Sequence, residues 1–281
     1  PLCNAEGGVI DDVLLYCNGT GEFILVVNAA RAAVDWTWIS GLCRDWAGVA
    51  LEDRTPASGM LAVQGPDAES LLTEIGIEAL GKIGYYTAAG RDFGGVEAIV
   101  SRSGYTGEDG FEIIATCGAT TDIWDQLVAA GALPCGLGSR DTLRTEMGYC
   151  LYGHELDESV SPLQAGLGWT LRLDKATDFV GKAPLVEQKR VGLGRRLRGI
   201  RLMEKGIPRP GQSVEGGDGQ TVGKLTSGTF SPTLKQGIGL AFIDRPYGGR
   251  GDKVFVDIRG KRCSAEIVRP PFVPSRVKKA G

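Results

Sequence analysis

The segment Gly95-Val96-Glu97-Ala98-Ile99-Val100-Ser101, followed after Arg102 by Ser103-Gly104-Tyr105-Thr106-Gly107-Glu108-Asp109-Gly110 and then Phe111-Glu112-Ile113-Ile114-Ala115, holds two apolar runs around a polar, glycine-rich turn. β-Branched and aromatic runs bounded by Gly, Ser and Asp read as strands. Residues 120–130 then read as a helix, and upstream, residues 60–64 form a buried strand. Gly65-Pro66-Asp67 opens a second helix running through Leu72, with Pro in the first turn and Asp near the positive end. Residues 139–147 make a third, because Arg140, Leu143, Arg144 and Met147 fall on one face. Strands and helices mix without strict alternation. That predicts an α+β fold with antiparallel or mixed sheets, not one doubly wound parallel sheet.

Outward from this centre, residues 9–15 and 23–27 are β-rich runs separated by Asn18-Gly19-Thr20-Gly21, whose Asn-Gly and Gly supply the positive φ of a tight turn, so a hairpin is expected. Residues 29–46 carry Ala33, Trp36, Ile39, Leu42 and Cys43 at helical spacing, which predicts a helix packed on that hairpin. After about residue 188 the texture changes. Val191-Gly192-Leu193-Gly194-Arg195-Arg196 reads as a linker, and residues 197–202, 223–226, 237–242, 253–258 and 261–268 as strands of a small β-barrel or roll. Lys278-Lys279 reads as a solvated end.

Composition excludes several function classes. A chain of 281 residues implies two or three domains. With 42% hydrophobic and 23% charged residues it reads as soluble and globular, and no apolar run approaches the ~20 residues of a membrane span. Net charge of -3, from 31 basic and 34 acidic side chains, argues against duplex nucleic acid as a partner, while local arginines can still grip small anions. One histidine, His154, rules out a histidine-rich metal cluster, and it reads more readily as structural than as a base. The seven scattered cysteines form no C-x-x-C pair and read as reduced thiols. The chain opens at Pro1 without an initiator Met and reaches a strand pattern within ten residues, and no signal or transit segment precedes that pattern, so processing or truncation is expected.

Several residues can carry chemistry. Arg140 and Arg144 stand one helical turn apart beside Gly136-Leu137-Gly138: either they line a surface helix paired to Asp141 and Glu146, or a planar guanidinium grips a carboxylate by two parallel bonds. Asp11 and Asp12 lie in a strand-like run where neighbours face opposite sides, so one of them faces inward and can orient, or take a proton from, an amine. Tyr85-Tyr86, Tyr105, Tyr16 and Trp169 offer flat faces and phenols; Tyr105, between glycines in a polar turn, has little core to join. Glu112 places an acid where it can pair with an aminopyrimidine edge, and leaving such buried donors unpaired costs about 1–3 kcal/mol each.

Taken together, Gly7-Gly8-Val9-Ile10-Asp11-Asp12, Val26-Val27-Asn28-Ala29-Ala30, Ala62-Val63-Gln64-Gly65-Pro66, the run from Ser101 to Glu112, Gly136-Leu137-Gly138-Ser139-Arg140-Asp141, Tyr152-Gly153-His154-Glu155-Leu156-Asp157-Glu158 and Thr226-Ser227-Gly228-Thr229-Phe230-Ser231-Pro232-Thr233 resemble the T-protein family of the glycine cleavage system, the tetrahydrofolate-dependent aminomethyltransferases. The match runs from end to end in one order. The resemblance implies a cloverleaf of two α+β lobes and a C-terminal β-barrel, with residues 1–55 in a central folate-binding lobe, 56–188 in a second lobe plus a return segment of the first, and 189–281 in the barrel. It implies transfer of an aminomethyl carbon from the dihydrolipoyl arm of an H-protein to tetrahydrofolate, with release of ammonia and formation of 5,10-methylenetetrahydrofolate.

Carried over by position, Asp12 resembles the family's catalytic aspartate, orienting the amine and stabilising an iminium-like charge. Glu112 matches the pterin-binding acid, Tyr105 a neighbouring ring contact, Tyr85 and Tyr86 the aromatic pair along the folate, with Tyr16 beside them, and Arg140 an arginine contacting its polar or glutamate portion. The departure is at the N-terminus, where family members carry several dozen further residues ahead of Gly7-Gly8. Alternatives are another folate-dependent enzyme of the same fold, of the demethylase type, or a non-catalytic folate-binding protein; the flavin-binding glycine pattern of related dehydrogenases is absent from the sequence. The implied partners are the lipoyl-bearing H-protein and folate, with no nucleic acid, membrane or metal, and the compartment is bacterial cytoplasm or mitochondrial matrix.

Overall fold

The computed structural model describes residues 1–19 and 21–278. Thr20 of the expected turn and Lys279 of the basic tail lie outside the described residues. The chain divides into two compact units, one made of residues 1–12 and 141–274, the other of 13–140 and 275–281.

Strand β1 (Leu2–Cys3) pairs antiparallel with β2 (Val9–Asp11), while β3 (Leu14–Cys17) pairs with β4 (Phe23–Val26). The expected hairpin therefore forms from Leu14 onward, and residues 9–11 leave it. The reason is a competing anchor: the Val9 amide donates to the carbonyls of Asp157 (3.1 Å) and Val160 (3.0 Å), and Asn4 bridges the Gly8 amide and the Glu158 carbonyl. Gly8 approaches so closely that a Cβ there would sit 1.8 Å from the Glu158 carbonyl oxygen.

Helix α1 (Ala32–Cys43) is shorter than the spacing predicts and does not bury the expected face. Trp36 and Leu42 stay exposed, whereas Asp35 is the helix's buried side chain. Apolar residues lie all round this helix, so periodicity singled out one stripe among several.

Four strands form an antiparallel sheet in the order β5, β8, β7, β6, where β5 is Ser58–Gln64, β6 Ala88–Phe93, β7 Val96–Ser101 and β8 Gly110–Thr116. Helices α2 (Ala68–Glu74) and α3 (Cys117–Ala129) supply Leu72, Ile123 and Leu127 to its core, where they meet Val63, Val100, Phe111 and Ile113. Strand alternation sends Phe111 and Ile113 to one side of β8 and Glu112 to the other.

Helix α4 (Leu137–Met147) contains the change of unit, between Arg140 and Asp141. Helix α5 (Lys182–Val191) ends at Gly192, φ +94, and the chain enters a closed six-stranded barrel: β9 (Arg195–Leu202), β10 (Ser213–Glu215), β11 (Thr221–Ser231), β12 (Gln236–Asp244), β13 (Lys253–Ile258) and β14 (Lys261–Val268). Five of these were expected. The three-residue β10 is too short to show a period, yet it closes the barrel by pairing with both β11 and β13. Inward-facing Ile200, Leu202, Val254, Val256, Ala265 and Ile267 fill the centre. The α+β class with antiparallel sheets and a C-terminal barrel is thus the observed one. Among the described residues no helix is long and apolar enough to cross a membrane.

The Gly8 contact is with backbone, which cannot yield. Gly8→Ala is expected to destabilise the chain by about 1–3 kcal/mol in urea unfolding. Gly118→Ala, where a Cβ meets nothing within 4 Å, is expected to leave stability unchanged or raise it by up to about 1 kcal/mol.

Candidate functional site

Glu112 is 9% exposed and lies opposite both Ala62 and Ser101 in the register of the sheet. Beyond β7 the chain turns so that the Ser103 hydroxyl donates to Glu112 Oε2 at 2.5 Å. Ser101 Oγ stands 2.8 Å from Ser103 Oγ, and the buried Tyr16 phenol donates to Ser103 at 3.2 Å. One carboxylate, two hydroxyls and a phenol therefore form a continuous buried chain. Burial pushes the Tyr16 phenol above its ordinary range, partly offset by its hydrogen bonds to Ser101 and Ser103, with the Glu112 charge raising it further. Tyr16 consequently stays a neutral donor.

The turn between β7 and β8 is closed at its neck by Arg102, which is 3% exposed. Its Nε and Nη2 donate to the two oxygens of Asp109 at 2.9 and 2.6 Å, Nη2 also reaches Glu69 at 2.6 Å, and the guanidinium lies 4.7 Å from the Phe111 ring centroid. Gln64 braces the inside of the turn through the Ser103 and Phe111 carbonyls and accepts from Thr106. Gly104 leaves room for this brace, since a Cβ would fall 1.9 Å from Gln64 Oε1 and push the amide aside. Within the turn, Tyr105 lies beneath Arg140, with the guanidinium carbon 4.7 Å from the ring centroid. Tyr85 and Tyr86 stack with centroids 4.2 Å apart and planes tilted by 41°, and the Tyr86 amide donates to the Arg102 carbonyl. Tyr86 takes a left-handed φ of +59.

Asp12 belongs to the other unit. It lies just past the end of β2, half-buried, while Asp11 is fully buried at the strand's last position. One of the pair is thus turned inward, as expected, and it is Asp11; β2 ends between the two. In the same unit Arg144 is 1% exposed and bonds Glu155 at 3.0 Å, Asp141, Ser227 and the Tyr149 carbonyl. The surface-helix reading therefore fails for Arg144: it is buried, and its deep partner is Glu155 and not Glu146, which instead accepts from Ser231 and Thr233. Arg140, one turn earlier, is exposed. Burial foremost, then the charges of Glu155 and Asp12, push the Cys150 thiol up, so it is an inert thiol. His154 Nδ1 lies 2.9 Å from the Thr226 carbonyl, a structural contact.

The structure thus links Tyr16 to Glu112 through Ser103, brings Tyr105 to Arg140, and pairs Tyr85 with Tyr86. Sequence reasoning missed Ser101, Ser103, Gln64 and the Arg102–Asp109 clamp. Ser103 had no strand signal, because it lies past the end of β7 and reaches Glu112 only through the turn.

Residues 1–175 match the GCVT N-terminal domain family, and residues 195–274 match the glycine cleavage T-protein C-terminal barrel domain. The chain belongs to the glycine cleavage T-protein family. Relatives named aminomethyltransferase include one from Geobacillus kaustophilus (strain HTA426), 46% identical and covering 96% of this chain and 75% of the relative. Another is from Halothermothrix orenii, 38% identical over 97% of this chain and 76% of the relative. The crystal structure of glycine cleavage system aminomethyltransferase T from Bartonella henselae superposes with a TM-score of 0.88 at 28% identity, covering 98% of this chain and 75% of that one. The expectations of a T-protein and of an aminomethyltransferase are met. Among the described residues no group of His, Cys, Asp and Glu is arranged to hold a metal ion.

Asp109 is held below the usual carboxylate range, first by its hydrogen bonds to Arg102. A depressed folded-state pKa contributes stability that is complete above the unfolded value of about 4 and is lost as pH falls through the folded value. The melting temperature is expected to fall as pH drops below about 4, with Asp109→Asn flattening part of that fall while lowering stability at neutral pH, as followed by thermal unfolding across a pH series.

Proposed function

We propose that this chain transfers the aminomethyl carbon from the dihydrolipoyl arm of a lipoyl-bearing H-protein to tetrahydrofolate. N5 of the folate attacks the carbon, ammonia leaves, the lipoyl sulfur is released as a thiol, and ring closure onto N10 gives 5,10-methylenetetrahydrofolate. The two protons lost from N5 and N10 end on the sulfur and the amine. The compartment is that of the H-protein, bacterial cytoplasm or mitochondrial matrix.

The observation that carries this reading is Glu112: a nine-tenths-buried carboxylate whose Oε2 is fixed by Ser103. Fixing one oxygen sets the plane of the carboxylate, and a planar acceptor pair fits the adjacent N–H donors of a pterin's aminopyrimidine edge. The Tyr85–Tyr86 pair offers aromatic faces for the folate's rings, Tyr105 beneath Arg140 offers another, and Arg140, exposed at the start of α4, can pair with the carboxylates of the glutamate portion. Tyr16 keeps Ser103 oriented by its hydrogen bond. Asp12 is assigned to orienting the reacting amine and stabilising the positive charge that develops on the carbon. Tetrahydrofolate supplies the nucleophile and carries the carbon away; the protein's share is orientation and electrostatics.

Titration with tetrahydrofolate, read by intrinsic fluorescence and thermal shift, tests the pocket. Glu112→Gln is expected to weaken binding by about 1–3 kcal/mol, roughly fivefold to 150-fold. Asp12→Asn is expected to retain binding while lowering turnover of aminomethylated H-protein by about a hundredfold or more. A folded parent that ignores millimolar tetrahydrofolate, or a Glu112→Gln chain that binds like the parent, would defeat the assignment.

A further inference from the structure

The last described residues return to the turn between β7 and β8. The Arg276 amide donates to the Gly107 carbonyl at 2.7 Å and the Ser275 hydroxyl to the same oxygen at 3.4 Å. Arg276 Nη1 reaches Glu108 Oε1 at 3.1 Å, the Lys278 amide reaches Asp109 Oδ1 at 3.3 Å, and Lys278 Nζ reaches Glu69 at 2.8 Å. Asp109 and Glu69 are the same two carboxylates that hold Arg102. The tail therefore grips the turn at its tip, Gly107 and Glu108, and again at its neck.

We propose that residues 275–278 are a strap that holds this turn in the shape that presents Tyr105, which makes Arg276 and Lys278 positioning residues for tetrahydrofolate binding. The binding half of this inference rests on the function proposed above; the ordering half does not. Four observations converge on it. The strap's contacts are concentrated on the three consecutive residues 107–109 plus Glu69. Gly107 has a left-handed φ of +79, so the tip is a position where L-residues offer little local preference for the observed shape. Tyr105, two residues away, carries the ring that stacks on Arg140. The cations of the strap meet carboxylates at each end, Glu108 at the tip and Glu69 beside the neck.

No single contact suffices. Arg276 and Glu108 are 70% and 28% exposed, and such a surface pair contributes little alone. The five bonds act together, which dictates how the test is built. In the full chain, amide hydrogen exchange of residues 104–109 is compared with forms truncated after Pro274, carrying Arg276→Glu, or carrying Arg276→Glu with Glu108→Arg. Truncation is expected to speed exchange of the turn by roughly tenfold or more while core amides of the sheet are unchanged. Arg276→Glu, which sets two negative charges against each other, is expected to act in the same direction by about twofold to fivefold, and the charge-swapped double variant to return to within about twofold of the parent. In parallel, truncation is expected to raise the tetrahydrofolate Kd about fivefold to fiftyfold with a smaller change in kcat, the split expected of a group that presents a binding surface.

Exchange of residues 104–109 that ignores truncation overturns the strap. Faster exchange with an unchanged Kd in a chain that binds tetrahydrofolate overturns the positioning role. If the parent itself does not bind tetrahydrofolate while exchange responds to truncation, the folate assignment falls and the positioning role with it, and the ordering of the turn by the tail is upheld.

Discussion

The guanidinium of Arg102 is the constraint on which the unit carrying Glu112 depends. It sits at the start of the turn between two antiparallel strands, almost fully buried, and its charge is compensated by Asp109 at the far end of that turn and by Glu69 on α2. A buried charge stripped of a partner costs about 3–5 kcal/mol, so a folded unit must keep the neck closed. The stabilisation gained over an apolar pair is small by the same reasoning. What the clamp supplies is geometry: with the neck closed, Ser103 is delivered to Glu112 and Tyr105 to the underside of Arg140. Burial of Phe111 under the same guanidinium ties the clamp to the sheet core.

The other unit repeats the device. Arg144 is buried against Glu155, Asp141 and Ser227, and Glu155 in turn accepts from the Leu151 amide and from Thr226 on β11. This network locks α4 to the barrel, with Glu146 adding Ser231 and Thr233. It accounts for the divergent fates of two arginines on one helix: Arg144 joins the network that holds the helix down, and Arg140 is left to stack on an aromatic ring. The anchored β2 segment, held by Asn4 and by the carbonyls of Asp157 and Val160, ends at the Asp11–Asp12 pair, so the position of Asp12 is likewise inherited from long-range backbone contacts.

Several residues of the candidate site were legible one by one. Glu112 in a strand and Tyr105 in a glycine-rich polar turn stood out because each is the wrong residue type for its local pattern, and Gly104 and Gly110 proved to be spaces that Gln64 and the neighbouring strand fill. The departures have physical causes. Residues 9–11 have every local feature of a hairpin strand, yet the Val9 amide is claimed by carbonyls some 150 positions away and the segment pairs with β1. α1 has apolar residues on all sides, so its periodicity could not say which side would be covered. The Arg102–Asp109 pair was overlooked because charges in a turn ordinarily face water, and nothing local marks one as buried.

The order of elements, the α+β class, the barrel strands long enough to show alternation and the family itself were determined by the sequence alone, since hydrophobic period and turn chemistry act over a few residues and motif order over the whole chain. Tertiary structure alone decided which charges are buried, which serine reaches Glu112, which of two arginines stacks on Tyr105, and where the C-terminal residues come to rest. These depend on distances between residues far apart in the chain, and the free energies involved belong to desolvated pairs, which exist only once the surrounding core has formed.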